Sequence, residues 1–346
     1  MARTGSDPEV LVVVSYTPDD SRAPRAGAPE RKDDVYWASI AVNVATLRHV
    51  AGEHIAFQVH CPSDPPPHVT RLLATAGVEV VPTAFTHRPP DDFFLRFLAS
   101  LYMLDTTAAV ADEVADDTVV LFVDPDVVWV ADPTAMIEDV RAHGVLAYDL
   151  AVPPDLPVGR LTRRQELELF EAIAGEQVTP LPPHFGGEFY GMLGARLRAF
   201  VAATAPIWAE TLRRHEQGQP HFNLEEHVFD AALWRLGVVE GRANSHIERI
   251  MTLPEPFGSR RRYRPELVAW HLPSEKTIGI TKVFEHLAAG RDLPALDDGY
   301  HAWMRRRMGI DPTPRHLARD LSRWLKWTVT GEARKGRARG QVGIGL

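Results

Sequence analysis

Along this chain, short unbroken apolar runs alternate with segments whose hydrophobic positions return every three or four residues. Glu9 to Tyr16 (EVLVVVSY) predicts a buried strand, ended by the turn-prone TPDDSRAPRAGAPE. Tyr36, Ile40, Val44 and Leu47 then recur at spacings of four, four and three, which predicts a helix capped by Asp33 or Asp34 and stopped by Gly52. Strands follow over 55–60 and 78–81, separated by the Pro-rich CPSDPPP and a short helix over 68–76. The run FFLRFLASLYML predicts a helix over 93–104, buried on most sides, with Arg96 as its single charge. Thr118 to Val123 reads as another buried strand. The segment 151–183 carries one charged helix between Pro-rich stretches and reads as an insertion or lid. HFGGEFYGML reads as mixed β structure, helices are expected over 195–215 and 224–236, a strand over 267–270 delivers His271, and helical stretches close the chain.

Strands alternating with helices predict an α/β fold built on a mostly parallel sheet covered by helices on both faces. One domain is expected over 1–295, with a parallel-sheet half at 8–150 and a second half at 151–295, followed by a basic helical extension at 296–346. No internal repeat is visible. With 346 residues, 45% of them hydrophobic and 24% charged, there is apolar material for a sizeable core, and disordered and fibrous classes are excluded. Cys61 is the sole cysteine and cannot form an internal disulfide, so a reducing cytoplasm is the expected location. No apolar run approaches the roughly 20 residues that cross a bilayer, and MARTGSDPEV lacks the apolar core of a signal peptide.

Charge divides the chain. From His301 onward nine Arg and two Lys face three acids, a local +8, which leaves −16 on the first 300 residues beneath a net −8. An acidic body argues against nucleic acid as partner. In the tail, Leu317, Leu321, Trp324 and Leu325 fall on one helical face with Arg319, Arg323 and Lys326 elsewhere, before the run RKGRARG. This pattern fits peripheral contact with an anionic membrane; docking of the same apolar face on the acidic body is the plainer alternative.

The chemistry concentrates at Asp124-Pro125-Asp126, just beyond an apolar strand, where ligands bind in open α/β sheets. Two carboxylates there are costly unless a cation lies between them, and Mg²⁺ or Mn²⁺ suits hard oxygen ligands that also meet a substrate diphosphate. Solvated turn residues are the plainer reading. In GGEFYG (Gly186 to Gly191) the glycines permit close backbone approach, Phe189 and Tyr190 offer flat faces suited to sugar rings, and Glu188 is a lone charge in an apolar run. Glu225 and Glu226 open a helix, where acids meet the dipole favourably without doing any chemistry.

Taken in order, these segments resemble the nucleotide-sugar-dependent glycosyltransferases of the GT-A fold. VVLFVDPDVVWV is similar to that family's strand ending in an Asp-x-Asp motif, which implies Asp124 and Asp126 holding Mn²⁺ or Mg²⁺ and the donor diphosphate. GGEFYG is similar to the strand lining donor and acceptor sites in the blood-group and α-1,3-galactosyl transferases, which places Gly186 and Gly187 at the donor. LEEHVF is similar to the helix start carrying those enzymes' catalytic Glu, which implies Glu225, with Glu226 second and Glu188 third. Glycogenin-like members use a His and a downstream Lys for metal and diphosphate, matched imperfectly here by His271 and Lys276, since Ser274 stands where Gly is expected. Arg96 sits where the family often places a diphosphate-binding Arg, and Ser15 and Tyr16 occupy its base-binding position. The resemblance implies hexose transfer from a nucleotide diphosphate sugar, UDP-linked by preference, to an acceptor hydroxyl with retention. Two rivals remain. One is a haloacid-dehalogenase-type phosphohydrolase with Asp124 as nucleophile, against which stands the motif's late position. The other is a transferase-like module that binds nucleotide sugar without turnover.

Overall fold

The computed structural model describes residues 8–18, 32–93, 98–252, 264–311 and, between 313 and 325, all but 315, 319, 323 and 324. β1 (Val10–Ser15) is apolar at consecutive positions because both its faces are covered. Val10, Val12 and Val14 enter one core while Leu11 and Val13 enter another, the situation in which a strand tolerates an unbroken hydrophobic run. β4 (Val119–Val123) divides likewise, with Val119, Leu121 and Val123 on the first side and Val120 and Phe122 on the second.

With β2 (Ala56–Cys61), β3 (Glu79–Pro82), β6 (Val145–Asp149) and β7 (Phe185–Leu193), these strands form one six-stranded sheet in the order β3-β2-β1-β4-β7-β6. Pairing is parallel from β3 to β4, and β7 runs antiparallel to both its neighbours. The mainly parallel sheet flanked by helices is the expected architecture. One core is closed by α1 (Lys32–Ala51), α2 (Pro67–Thr75) and α4 (Thr134–His143). The other is closed by α3 (Tyr102–Glu113), α5 (Arg163–Ala174), α6 (Gly194–Glu216) and α7 (Glu225–Arg235). A second, three-stranded sheet joins β5 (Val127–Trp129), β8 (Ile247–Arg249) and β9 (Ala269–His271) in the order β5-β9-β8.

Three elements depart from the pattern-based expectation. The helix expected over 93–104 is a 3₁₀ turn at Leu98–Leu101 leading into α3, because Leu104, Val110 and Ala111 carry the helical stripe onward to Glu113; residues 94–97, Arg96 among them, lie outside the described part. Within 151–183, α5 is no free lid. It opens on a capping box between Thr162 and Gln165 and buries Leu169 and Phe170 in the second core. Beyond α8 (Thr281–Ala288), the start of the basic extension is built into the first core through Tyr300 and Met304 on α9 (Asp298–Arg307) and then Met308 and Ile310. The Tyr300 hydroxyl donates to the Trp129 carbonyl at 2.8 Å. Leu317, Leu321 and Leu325 stand 54%, 58% and 47% exposed, while His316 and Asp320 are buried, so the leucines face away from the body. Trp324, Arg319, Arg323, Lys326 and RKGRARG lie outside the described residues. No helix among the described residues is long and apolar enough to cross a membrane.

Candidate active site

The parallel strands end where the acidic pair begins. The Val127 amide donates to the Asp124 carbonyl at 3.2 Å and closes a turn between β4 and β5. A buried Asn43 on α1 clamps that turn, its amide nitrogen donating to the same carbonyl at 3.1 Å while its oxygen accepts from Trp129 Nε1 at 2.8 Å. Because β7 runs against β4, its first residues, Gly186 to Glu188, arrive at the same sheet edge, and the Asp124 amide donates to the Glu188 carbonyl at 3.1 Å. β9 pairs with β5 so that His271 lies opposite Val127. Three distant stretches of sequence therefore meet at one edge.

His271 Nε2 lies 3.1 Å from Asp124 Oδ2 and 3.5 Å from Asp126 Oδ2, and its Nδ1 lies 3.6 Å from Glu188 Oε1. One ligand atom from each of Asp124, Asp126 and His271 falls within 4.8 Å of the others. The 3.1 Å between His271 and Asp124 matches the edge of an octahedron with bonds of about 2.1 Å, as Mg²⁺ demands. Buried Asp126 Oδ1 has no hydrogen-bond partner among the described residues, and a carboxylate behind a histidine is the usual support that aims the ring at a metal. These residues fit a divalent cation. Although burial opposes it, the neighbouring Asp126 and Asp124 carboxylates raise the His271 imidazole well above its ordinary value. Lys276, in the π-helical turn Lys276–Ile280, reaches Asp126 Oδ2 at 2.9 Å and lies 5.3 Å above the Tyr36 ring centroid. Against desolvation, Lys276 and His271 keep Asp126 ionised.

Glu188 is enclosed. Arg249 on β8 donates to it from Nε at 2.8 Å and a second nitrogen at 2.7 Å, a buried bidentate pair. Burial would raise the Glu188 carboxyl, but Arg249 and then His271 pull it below its ordinary value. Arg249→Met removes the cation and strands this carboxylate. The expected cost at neutral pH is about 3–5 kcal/mol, read as a lowered thermal midpoint that partly recovers in acid, where Glu188 takes up a proton.

Glu225 and Glu226 open α7 and face the glycines of β7. A Cβ on Gly187 would sit 3.0 Å from Glu225 Oε1, and one on Gly186 would collide with Glu188 Oε2 at 2.0 Å. Bare backbone is what lets the three carboxylates crowd one edge. Glu226 is fully engaged, accepting from the Gly187 amide at 2.9 Å and lying 3.4 Å from His184 Nε2. Despite desolvation, its bonds to His184 take it down to about 2. Glu225 accepts from the Ser100 hydroxyl and pairs with no cation among the described residues. Burial, then the neighbouring Glu226 charge, pushes it up to about 8.

Ser15 shares a hydrogen bond with Thr106 at 2.8 Å. Tyr16 is buried, donates to Asp33 Oδ1 at 2.6 Å and is stacked against Tyr36 with ring centroids 5.3 Å apart. Tyr36, the less buried ring, is the one beside Lys276. Pattern reading missed Arg249, His184 and Ser100. His184 adjoins the glycines and carries a weak signal, whereas nothing around Arg249 or Ser100 sets them apart.

No protein-family model matches the chain, and no curated protein matches it in sequence. Solved structures do match in chain path. Mouse xyloside xylosyltransferase 1, in its apo form, is 11% identical with a TM-score of 0.46, over 75% of this chain and 96% of that one. The galactosyltransferase LgtC, in complex with donor and acceptor sugar analogues, is 12% identical with a TM-score of 0.47, over 85% and 99%. The apo WbbM bifunctional glycosyltransferase is 12% identical with a TM-score of 0.46, over 78% and 46%. These neighbours are glycosyltransferases. At such identities and scores the likeness assigns no activity to this chain.

Proposed function

We propose that the chain transfers a hexose from a nucleotide diphosphate sugar, UDP-linked by preference, to an acceptor hydroxyl with retention. The observation that carries this reading is the convergence of Asp124, Asp126 and His271 with Lys276 at the sheet edge, beside one carboxyl, Glu225, that no cation neutralises among the described residues. Mn²⁺ or Mg²⁺ held by Asp124, Asp126 and His271 would neutralise the diphosphate as it departs. Lys276 adds a fixed positive charge on the same side, and Gly186 and Gly187 leave room for the donor. The bond between the anomeric carbon and the diphosphate oxygen breaks with its electron pair leaving on the diphosphate. The acceptor oxygen forms the new bond and gives up its proton to the departing group. Glu225, once ionised, stabilises or attacks the positive anomeric centre. Glu188 orients His271, and Glu226 holds the Gly187 amide. The test is release of nucleotide diphosphate from a donor panel with Mn²⁺, with the product anomer read by NMR. Retention supports the reading, inversion removes Glu225 from its role, and hydrolysis of a phosphomonoester without sugar transfer favours Asp124 as a phosphohydrolase nucleophile.

The exposed Leu317, Leu321 and Leu325 beside the basic tail favour peripheral contact with an anionic membrane over docking on the body. Full-length chain is expected to co-sediment with anionic vesicles and to lose that binding on Leu317→Glu with Leu321→Glu. Equal recovery with zwitterionic vesicles would contradict it.

A further inference from the structure

Behind Glu225 and Glu226 lies a second cluster of titratable groups, in which burial raises the Asp230 carboxyl well above its ordinary value. His184, fully buried, begins the turn into β7, and its Nδ1 lies 2.8 Å from Asp230 Oδ2 and 3.1 Å from Glu166 Oε2. Its Nε2 faces Glu226 Oε2 at 3.4 Å. Carboxylates from α5 and α7 thus surround one imidazole on three sides. Among the described residues, Glu166, Asp230 and Glu226 form ion pairs with His184 alone. His227, also buried, accepts from the Asn223 amide at 3.2 Å through Nδ1 and meets the Val158 carbonyl at 3.2 Å through Nε2. Glu166, His184 and His227 lie close enough to share a metal ion, but with both nitrogens of His227 committed to backbone, a proton-bearing network accounts for the cluster better. Desolvation works against a charged His184 ring, and Asp230 and Glu166 overcome it.

The cluster is joined to the site through Glu226. Facing Glu226 are His184 just before β7, the Arg249 charge from β8, the Gly187 amide and its own neighbour Glu225. Facing Glu225 are Ser100, Glu226 and, more distantly, Asp124. Any change in the charge of His184 therefore reaches Glu225 by way of Glu226.

We propose that His184 is a positioning residue: standing as a cation between the Glu166–Asp230 pair and Glu226, it locks Glu226 onto the Gly187 amide and thereby sets the orientation and protonation of Glu225. This rests on the role given to Glu225 in the proposed transfer. Removing a cation next to two coupled carboxyls makes both harder to ionise. In His184→Gln, the rising limb of turnover against pH is expected to move up by roughly one pH unit, with the donor KM little changed and the rate recovering in more alkaline buffer. A structural defect alone lowers turnover at every pH and leaves the limb in place.

Thermal midpoints of the wild type, His184→Gln and Glu225→Gln, measured from pH 5 to 10, follow Glu225 without any turnover. The decline in stability caused by Glu225 is expected to extend to higher pH in His184→Gln. A decline ending at the wild-type pH overturns the proposal, even if the chain proves not to transfer sugar. Absence of transfer with the shifted decline sinks only the catalytic reading. Should His184→Gln fail to fold, nitrogen-15 NMR of His184 in the wild type decides: both ring nitrogens protonated at pH 8 is the expected result, and a neutral ring at pH 7 overturns the proposal.

Discussion

Asp126→Asn is expected to abolish metal-dependent nucleotide binding while leaving the fold intact. Asn has nearly the same shape as Asp and fits the same fully buried space, so secondary structure by circular dichroism should not change. The charge is what differs. Asp126 balances Lys276 at 2.9 Å and His271 at 3.5 Å, and with it neutralised a divalent ion keeps one carboxylate and one imidazole, neither strong enough alone for Mg²⁺ or Mn²⁺. Affinity for UDP in the presence of Mn²⁺ should fall by about 100-fold or more. Affinity without metal should change little or even improve, because an anionic neighbour of the diphosphate has gone. Equal loss with and without Mn²⁺ would mean that Asp126 serves the shape of the turn and not a metal.

Glu225→Gln is expected to cut turnover by about 10³-fold with donor KM within a few-fold of wild type, the pattern of a group that acts only as charge develops. Its second consequence concerns stability. The carboxyl sits at about 8 in the folded chain against an ordinary 4.5. Between those values the folded state keeps a proton that the unfolded state has released, so stability falls as pH rises through the window. The Gln variant lacks this slope and should match or exceed the wild type in thermal midpoint near pH 8, with the gap closing toward pH 5. Wild-type turnover should climb over the same range as Glu225 ionises, provided Asp126 and Glu226 are already charged. A Gln variant with full turnover would remove Glu225 from the chemistry.

Much of this is legible in the sequence itself. Runs such as VVLFV and VLVVV mark strands buried on both faces, and an acidic pair directly after one falls at the ligand edge by topology alone. Local pattern also placed Glu225 and Glu226 at a helix start and His271 at a strand end. What was not legible depends on pairing between distant strands. β6 and β8 carry short, ordinary sequences, and Arg249 gains its partner only because β8 aligns beside β9 with Arg249 opposite His271. Tyr16 illustrates the reverse case: its position at the end of β1 is as expected, but stacking on Tyr36 closes a face that sequence leaves open. The division of labour between Glu225 and Glu226, adjacent and chemically identical, is set by His184 from another element, and no local pattern carries that information.

The central claim is that Asp124 and Asp126 bind a nucleotide diphosphate through a divalent cation. Calorimetric titration of UDP into the wild type with and without Mn²⁺, repeated with Asp124→Asn, tests it most directly. Binding that requires Mn²⁺ and disappears in the variant is the predicted result; binding that is indifferent to Mn²⁺, or that survives Asp124→Asn unchanged, would contradict the claim.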